Sequence, residues 1–221
     1  MPSLKIMLCA LLLSVANASA FAGKRSDCPG QRWAHPTEIL AQIQTLQVDL
    51  LSHASATETL ERWCATQGLA NPAIVTVERA KNVYSPATPE VRQHLRVTPD
   101  TALKYRHVRL KCGEVVLSEA DNWYVPARLT APMNKTLDST DIPFGKVVKP
   151  LGFTRQTLSA TLLWPPLPET SRISNGLPSV NREHQQVLPY FLFEHRAVLR
   201  RLDGAPFSLL IERYTRNVLG P

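Results

Sequence analysis

Leu103-Lys104-Tyr105-Arg106-His107-Val108-Arg109-Leu110-Lys111-Cys112-Gly113-Glu114-Val115-Val116-Leu117 is the stretch that decides the fold class. Residues 103–111 alternate, Cys112-Gly113-Glu114 makes a turn, and the run from Val115 continues through Trp123-Tyr124-Val125 to Pro126. Two strands joined by a short glycine-containing turn read as a β-hairpin. A second hairpin is expected around Asp203-Gly204, between strands over residues 190–202 and 207–214. Residues 73–77 are short and β-branched, and residues 153–163 read as a further strand. Upstream the period changes. Thr37 can cap a helix in which Ile39, Leu40, Ile43, Leu46, Leu50 and Leu51 fall at helical spacing. A second helix over residues 57–66 stops at Gly68, with Leu60, Trp63 and Cys64 as its apolar side, and residues 133–137 suit a short helix. Helices first and hairpins later predict an α+β domain: an antiparallel sheet with helices packed on one face.

The hairpins also carry charges on the wrong face. Strand residues two apart share a face, so Arg106 sits with Val108 and Leu110, while Tyr105, His107, Arg109 and Lys111 point away. In the last strand Glu212 shares a face with Leu210 and Tyr214. An ion withdrawn from water without a partner costs several kcal/mol. Two readings follow. Arg106 and Glu212 form a structural ion pair, or Arg106 holds a ligand carboxylate by a bidentate contact while Glu212, with a raised pKa, moves a proton.

The chain has 221 residues, 44% hydrophobic and 19% charged, which suits one globular domain with a sizeable core. Lys5, the apolar run from Ile6 to Ala16 and the small residues Asn17-Ala18-Ser19-Ala20-Phe21-Ala22 have the layout of a secretory signal peptide. Cleavage is expected after Ala22, with Ala20 second, and an uncleaved anchor is the alternative. The mature protein is then exported, periplasmic or secreted. It comprises an arm over residues 23–36 and a domain over 37–221, with a long loop at 165–186 rich in Pro, Ser and Asn. Cys28, Cys64 and Cys112 remain, none in metal-ligand spacing. Cys28 with Cys64 is the first choice for a disulfide, and two buried free thiols the alternative. Losing Lys5 leaves +6 of the formal +7 charge, spread without long runs. That favours small anions over nucleic acid.

At these strands the sequence resembles the chorismate pyruvate-lyase family. Ser55-Ala56-Thr57-Glu58-Thr59-Leu60 is similar to the family's S-x-T-x-x-L helix opening, and Tyr105-Arg106-His107-Val108-Arg109-Leu110 to its R-x-φ-x-L strand. Ile142-Pro143-Phe144-Gly145 resembles its P-L-G segment, and Leu209-Leu210-Ile211-Glu212 its final L-L-x-E strand. The resemblance runs from about residue 37 to 215. It implies an enclosed pocket and cofactor-free conversion of chorismate to 4-hydroxybenzoate and pyruvate. Arg106 then binds the ring carboxylate, and Glu212 stands by the ether oxygen or the phenolic hydroxyl. Backbone contacts are implied at Phe144, at Gly145 and at Ala56, or at Thr59 if the register shifts. The signal peptide, the 165–186 stretch and Phe144 in place of leucine depart from the family pattern.

Trp63, Trp123 and Tyr124 read as core, Glu119 and Asp121 as a solvated strand face, and His107 as turned away from Arg106. Asn134-Lys135-Thr136 fits a glycosylation acceptor. With no nucleophile motif and no glycine-rich phosphate loop, neither a hydrolase nor a nucleotide binder is indicated. The expectation is a monomer without metal or cofactor, acting as an exported lyase on chorismate or as a non-catalytic binder of a small aromatic carboxylate.

Overall fold

The computed structural model describes residues 36–80, 83–164 and 188–220. The expected signal peptide, residues 23–35 of the arm, Cys28 and the 165–186 stretch lie outside them.

The first helix, α1, spans Pro36–Ser52 and buries Ile43, Leu46 and Leu50, a stripe at helical spacing. The second, α2, spans Ala56–Gln67. Ser55 starts it, its Oγ accepting from the Glu58 N–H at 3.3 Å. Gly68 ends it with φ 62°, a left-handed turn that favours glycine. Strand β1 (Val75–Arg79) follows, then α3 (Pro89–Leu95), capped by Thr88. Next come β2 (Lys104–Cys112), β3 (Val115–Tyr124), α4 (Ala131–Ser139) and α5 (Phe144–Val148). Three strands close the domain: β4 (Thr154–Leu162), β5 (Phe191–Arg200) and β6 (Pro206–Thr215).

The six strands form one sheet in the order β1-β2-β3-β6-β5-β4, antiparallel at every step. The two expected hairpins are β2–β3 and β5–β6, and they join where β6 pairs with β3. The final strand is therefore central, which explains its burial on both faces near the middle.

This is the expected α+β antiparallel architecture. On the inner face, α1 and α2 pack over β1 and the adjoining half of the sheet through Ile43, Leu46, Leu60, Trp63 and Tyr214. The helices α4 and α5 form a second apolar cluster around Tyr124, Leu137, Val148, Leu199 and Leu210. The short α3 was not expected. It covers one end of the opposite face, with Val91 and Leu95 against Trp123, Val198 and Leu209. The rest of that outer face is a charged ladder. His107 Nδ1 lies 2.9 Å from Asp121 Oδ1, and Arg213 donates to Glu194 at 2.8 Å. His107, Glu119 and Asp121 thus lie on the face expected of them, and Trp63, Trp123 and Tyr124 are buried in the core. The Asn134 amide nitrogen is bonded within the fold, donating to the Pro126 carbonyl at 2.9 Å.

One expectation is corrected. Cys64 bonds Cys112, not Cys28. Cys64 lies on the buried side of α2, which packs over the C-terminal end of β2 and brings the two Cα atoms within 6.4 Å. The disulfide ties a helix to the strand that carries Arg106.

Candidate functional site

A cavity lies under the inner face of the sheet, with about 50 Å³ open to the centre of a water molecule. Arg106, Glu212, Ala56, Phe144 and Gly145 all line it. Strand parity puts Arg106 and Glu212 there. Arg106 pairs across β3 with Asn122 and Glu212 with Ala120, so both charges leave the sheet on the same side. The opening turn of α2 supplies Ala56, and the opening of α5 supplies Phe144 and Gly145. The two helix starts approach closely: a Cβ at Gly145 would lie 3.5 Å from Ser55 Oγ. Thr59 is fully buried in α2 and does not line the cavity, whereas Ala56 does.

Arg106 is 5% exposed, and its Nε, Nη1 and Nη2 have no hydrogen-bond partner among the described residues. Burial pulls its pKa below the ordinary arginine value, and the like charge of Arg79 adds to the effect. Apolar side chains from both clusters surround it, including Val108, Leu210 and Phe144. The result is a fixed planar cation with five N–H donors in a largely apolar chamber.

Glu212 is 4% exposed and does not pair with Arg106. Its cationic partner is Arg155, from β4, which also lines the cavity and donates to Oε2. The Tyr214 hydroxyl donates to the same oxygen at 3.3 Å. The structural Arg106–Glu212 ion pair is therefore not the one formed, and Arg155 takes the place that this reading gave to Arg106. Burial works against the charge on Arg155, but the Glu212 carboxylate outweighs it and holds the guanidinium above its ordinary pKa. Cross-strand from Glu212 stands His195, fully buried, with Nδ1 unpartnered among the described residues. Burial pushes its pKa down to about 4, so the imidazole is neutral at pH 7.

The uncharacterized protein y4mC of Sinorhizobium fredii is 54% identical over 185 residues, a span covering 82% of this chain and 77% of that protein. The chain belongs to the y4mC family. None of the known protein-family models matches the chain. Among solved structures, it is similar to PhnF from Mycobacterium smegmatis at 13% identity, with a TM-score of 0.46 over 75% of this chain. The effector domain of that protein gives 14% identity and a TM-score of 0.43 over 74% of this chain and 90% of the domain. A possible transcriptional regulator, YydK from Bacillus subtilis, gives 17% identity and a TM-score of 0.39 over 65% of this chain. The chain spans 58% of the length of YydK and 65% of that of PhnF.

Sequence reasoning missed Arg155. It lies near the start of an edge strand whose residues are mostly exposed, so no alternation marks its face. Among the described residues, no group of three or more His, Cys, Asp or Glu side chains is placed to hold a metal ion. No described helix is long and apolar enough to cross a membrane.

Proposed function

We propose that this protein binds a small aromatic carboxylate in the cavity under the sheet, with Arg106 taking the carboxylate. One observation carries the reading: a buried guanidinium with all three nitrogens unpartnered among the described residues, facing a cavity with apolar walls. A buried cation without a partner is costly, and a planar carboxylate supplies two parallel acceptors. The apolar walls suit a ring, with few polar groups to fix its orientation. The resemblance to chorismate pyruvate-lyases supports the same choice, with the backbone at Ala56, Phe144 and Gly145 as further contacts. Calorimetric titration of the purified protein with 4-hydroxybenzoate tests it. Saturable binding that disappears in Arg106→Ala is expected, and binding indifferent to that substitution overturns the proposal.

A second reading, turnover of chorismate, is favoured by the presence of Glu212 in the same cavity as Arg106. Loss of pyruvate makes the ring aromatic, so such an enzyme has to position the substrate and manage one proton near the ether oxygen. Release of pyruvate from chorismate, lost in Glu212→Ala, is the outcome this reading requires.

We propose also that residues 1–22 direct export and are removed. The Cys64–Cys112 disulfide supports this, since such bonds persist in oxidising compartments. N-terminal sequencing of the protein from fractionated cells tests it: a chain beginning at Gly23 outside the cytoplasm is expected.

A further inference from the structure

Two elements carry both the cavity wall and the disulfide. Arg106, Val108 and Leu110 line the cavity from β2, and Cys112 is the next residue on that face, fully buried. Ala56 and Thr57 line it from the first turn of α2, and Cys64 lies about two turns further along the same helix. The polar ties of α2 to its surroundings run elsewhere. Glu61 Oε1 accepts from the Val75 N–H of β1 at 2.9 Å and from Lys146 Nζ of α5 at 2.6 Å. Trp63 Nε1 donates to the Val218 carbonyl at 2.8 Å, and Arg62 to Asp49 of α1 at 2.8 Å. Among the described residues, no hydrogen bond or ion pair joins α2 to β2. The Cys64–Cys112 bond is the directed link between them, added to apolar packing.

A helix of 12 residues moves as a rod, and β2 is pinned by β1 on one side and β3 on the other. A slip of Cys64 against Cys112 therefore shifts Ala56 and Thr57 against Arg106. A binding site has to hold its contacts within about 0.5 Å. We propose that the Cys64–Cys112 bond is a positioning element of the ligand site. It holds the first turn of α2 at the distance from Arg106 that a bound carboxylate needs, so the oxidised protein binds tightly and the reduced protein weakly. This inference rests on the binding reading above and adds its dependence on redox state. Cys64 and Cys112 are both 0% exposed. Thiol–disulfide exchange needs a thiolate to reach a sulfur, so the state of the bond is set while the chain folds and is kept afterwards. Formation passes two electrons and two protons from the two thiols to a disulfide oxidant, and reduction by a dithiol returns them. A copy folded where dithiols prevail is left with the weaker site.

The test titrates purified protein with 4-hydroxybenzoate, well below the melting temperature of every form used. The double variant Cys64→Ala with Cys112→Ala is expected to bind at least about tenfold more weakly than oxidised wild type. Wild-type protein refolded under a dithiol keeps every side chain and is expected to match the variant. Leu95→Ala, in α3 on the opposite face of the sheet, is the control for lost stability alone. It is expected to bind as wild type does. Native oxidised protein held in the same dithiol without denaturant is expected to keep its affinity, and rapid loss overturns the claim that folding sets the state. Equal affinity of the oxidised and reduced forms overturns the inference while leaving the binding reading intact. So does a Leu95→Ala variant weakened as much as the cysteine pair, since affinity then follows stability. A reduced chain that does not fold, read by circular dichroism, overturns it too, because the bond then serves the fold. Failure of oxidised wild type to bind removes the binding reading and this inference together.

Discussion

Replacing Arg106 by Met should stabilise the ligand-free protein and abolish carboxylate binding. Arg106 is 5% exposed, and none of its three nitrogens has a partner among the described residues. A buried donor left unmade costs about 1–3 kcal/mol, and a buried charge more. The cavity has room for water, with about 50 Å³ open to its centre, so hydration recovers part of that cost. Methionine keeps most of the aliphatic stem that packs beside Val108 and Phe144, so little burial is lost. A net gain of about 2 kcal/mol follows, or roughly 4–8 °C in melting temperature for a domain of this size. Thermal melts with and without 4-hydroxybenzoate measure both effects. The variant should melt higher than wild type without ligand and show no rise on adding it. A variant that melts several degrees lower would show that the guanidinium serves the fold, and the reasoning from its missing partners would be wrong.

The buried His195, held at a pKa of about 4 by desolvation, stays neutral in the fold while the unfolded chain protonates at its ordinary value. Stability should therefore fall as pH drops from about 6.5 to 4 and level off below, by on the order of 3 kcal/mol. Denaturant melts at several pH values should show His195→Phe losing that part of the slope. Reducing the Cys64–Cys112 bond, which spans 48 positions of sequence, should lower stability by up to about 4 kcal/mol, read from melts with and without reductant. Gly68→Ala, at φ 62°, should cost about 1 kcal/mol by strain at the end of α2, with no change in ligand selectivity on titration.

Arg106 and Glu212 were legible in the sequence because each stands in a strand whose apolar neighbours mark its face. Val108 and Leu110 share a face with Arg106, and Leu210 and Tyr214 with Glu212. The hairpin turns were legible from Gly113 and Gly204, both at positive φ. Arg155 had no such markers, because most of β4 is exposed and its inward turn depends on pairing with β5, which is distant in sequence. The disulfide was misread for a related reason. Its partner is chosen by how α2 lies on β2, a contact between elements that spacing does not encode. A start signal for α3 was present in Thr88-Pro89-Glu90, a cap followed by proline in the first turn. Seven residues, however, are too few for helical periodicity to appear.

The position of the cavity explains how one domain tolerates three buried charges. The apolar interior of the inner face is divided: one cluster lies under α1 and α2, the other under α4 and α5. The cavity draws wall residues from both, with Val77 and Leu110 from the first and Leu199 and Leu210 from the second. Charges placed at this seam interrupt neither cluster, so each keeps its close packing and supplies stability the site itself does not. The disulfide reinforces the side of the seam formed by α2 and β2. An apolar substitution inside the cavity should therefore be accommodated. A large-to-small change in either cluster, such as Leu60→Ala or Leu137→Ala, should cost about 2–5 kcal/mol. The group most costly to bury, Arg106, is held where a carboxylate can relieve the cost, which is the physical reason to expect ligand binding to raise the stability of the whole domain.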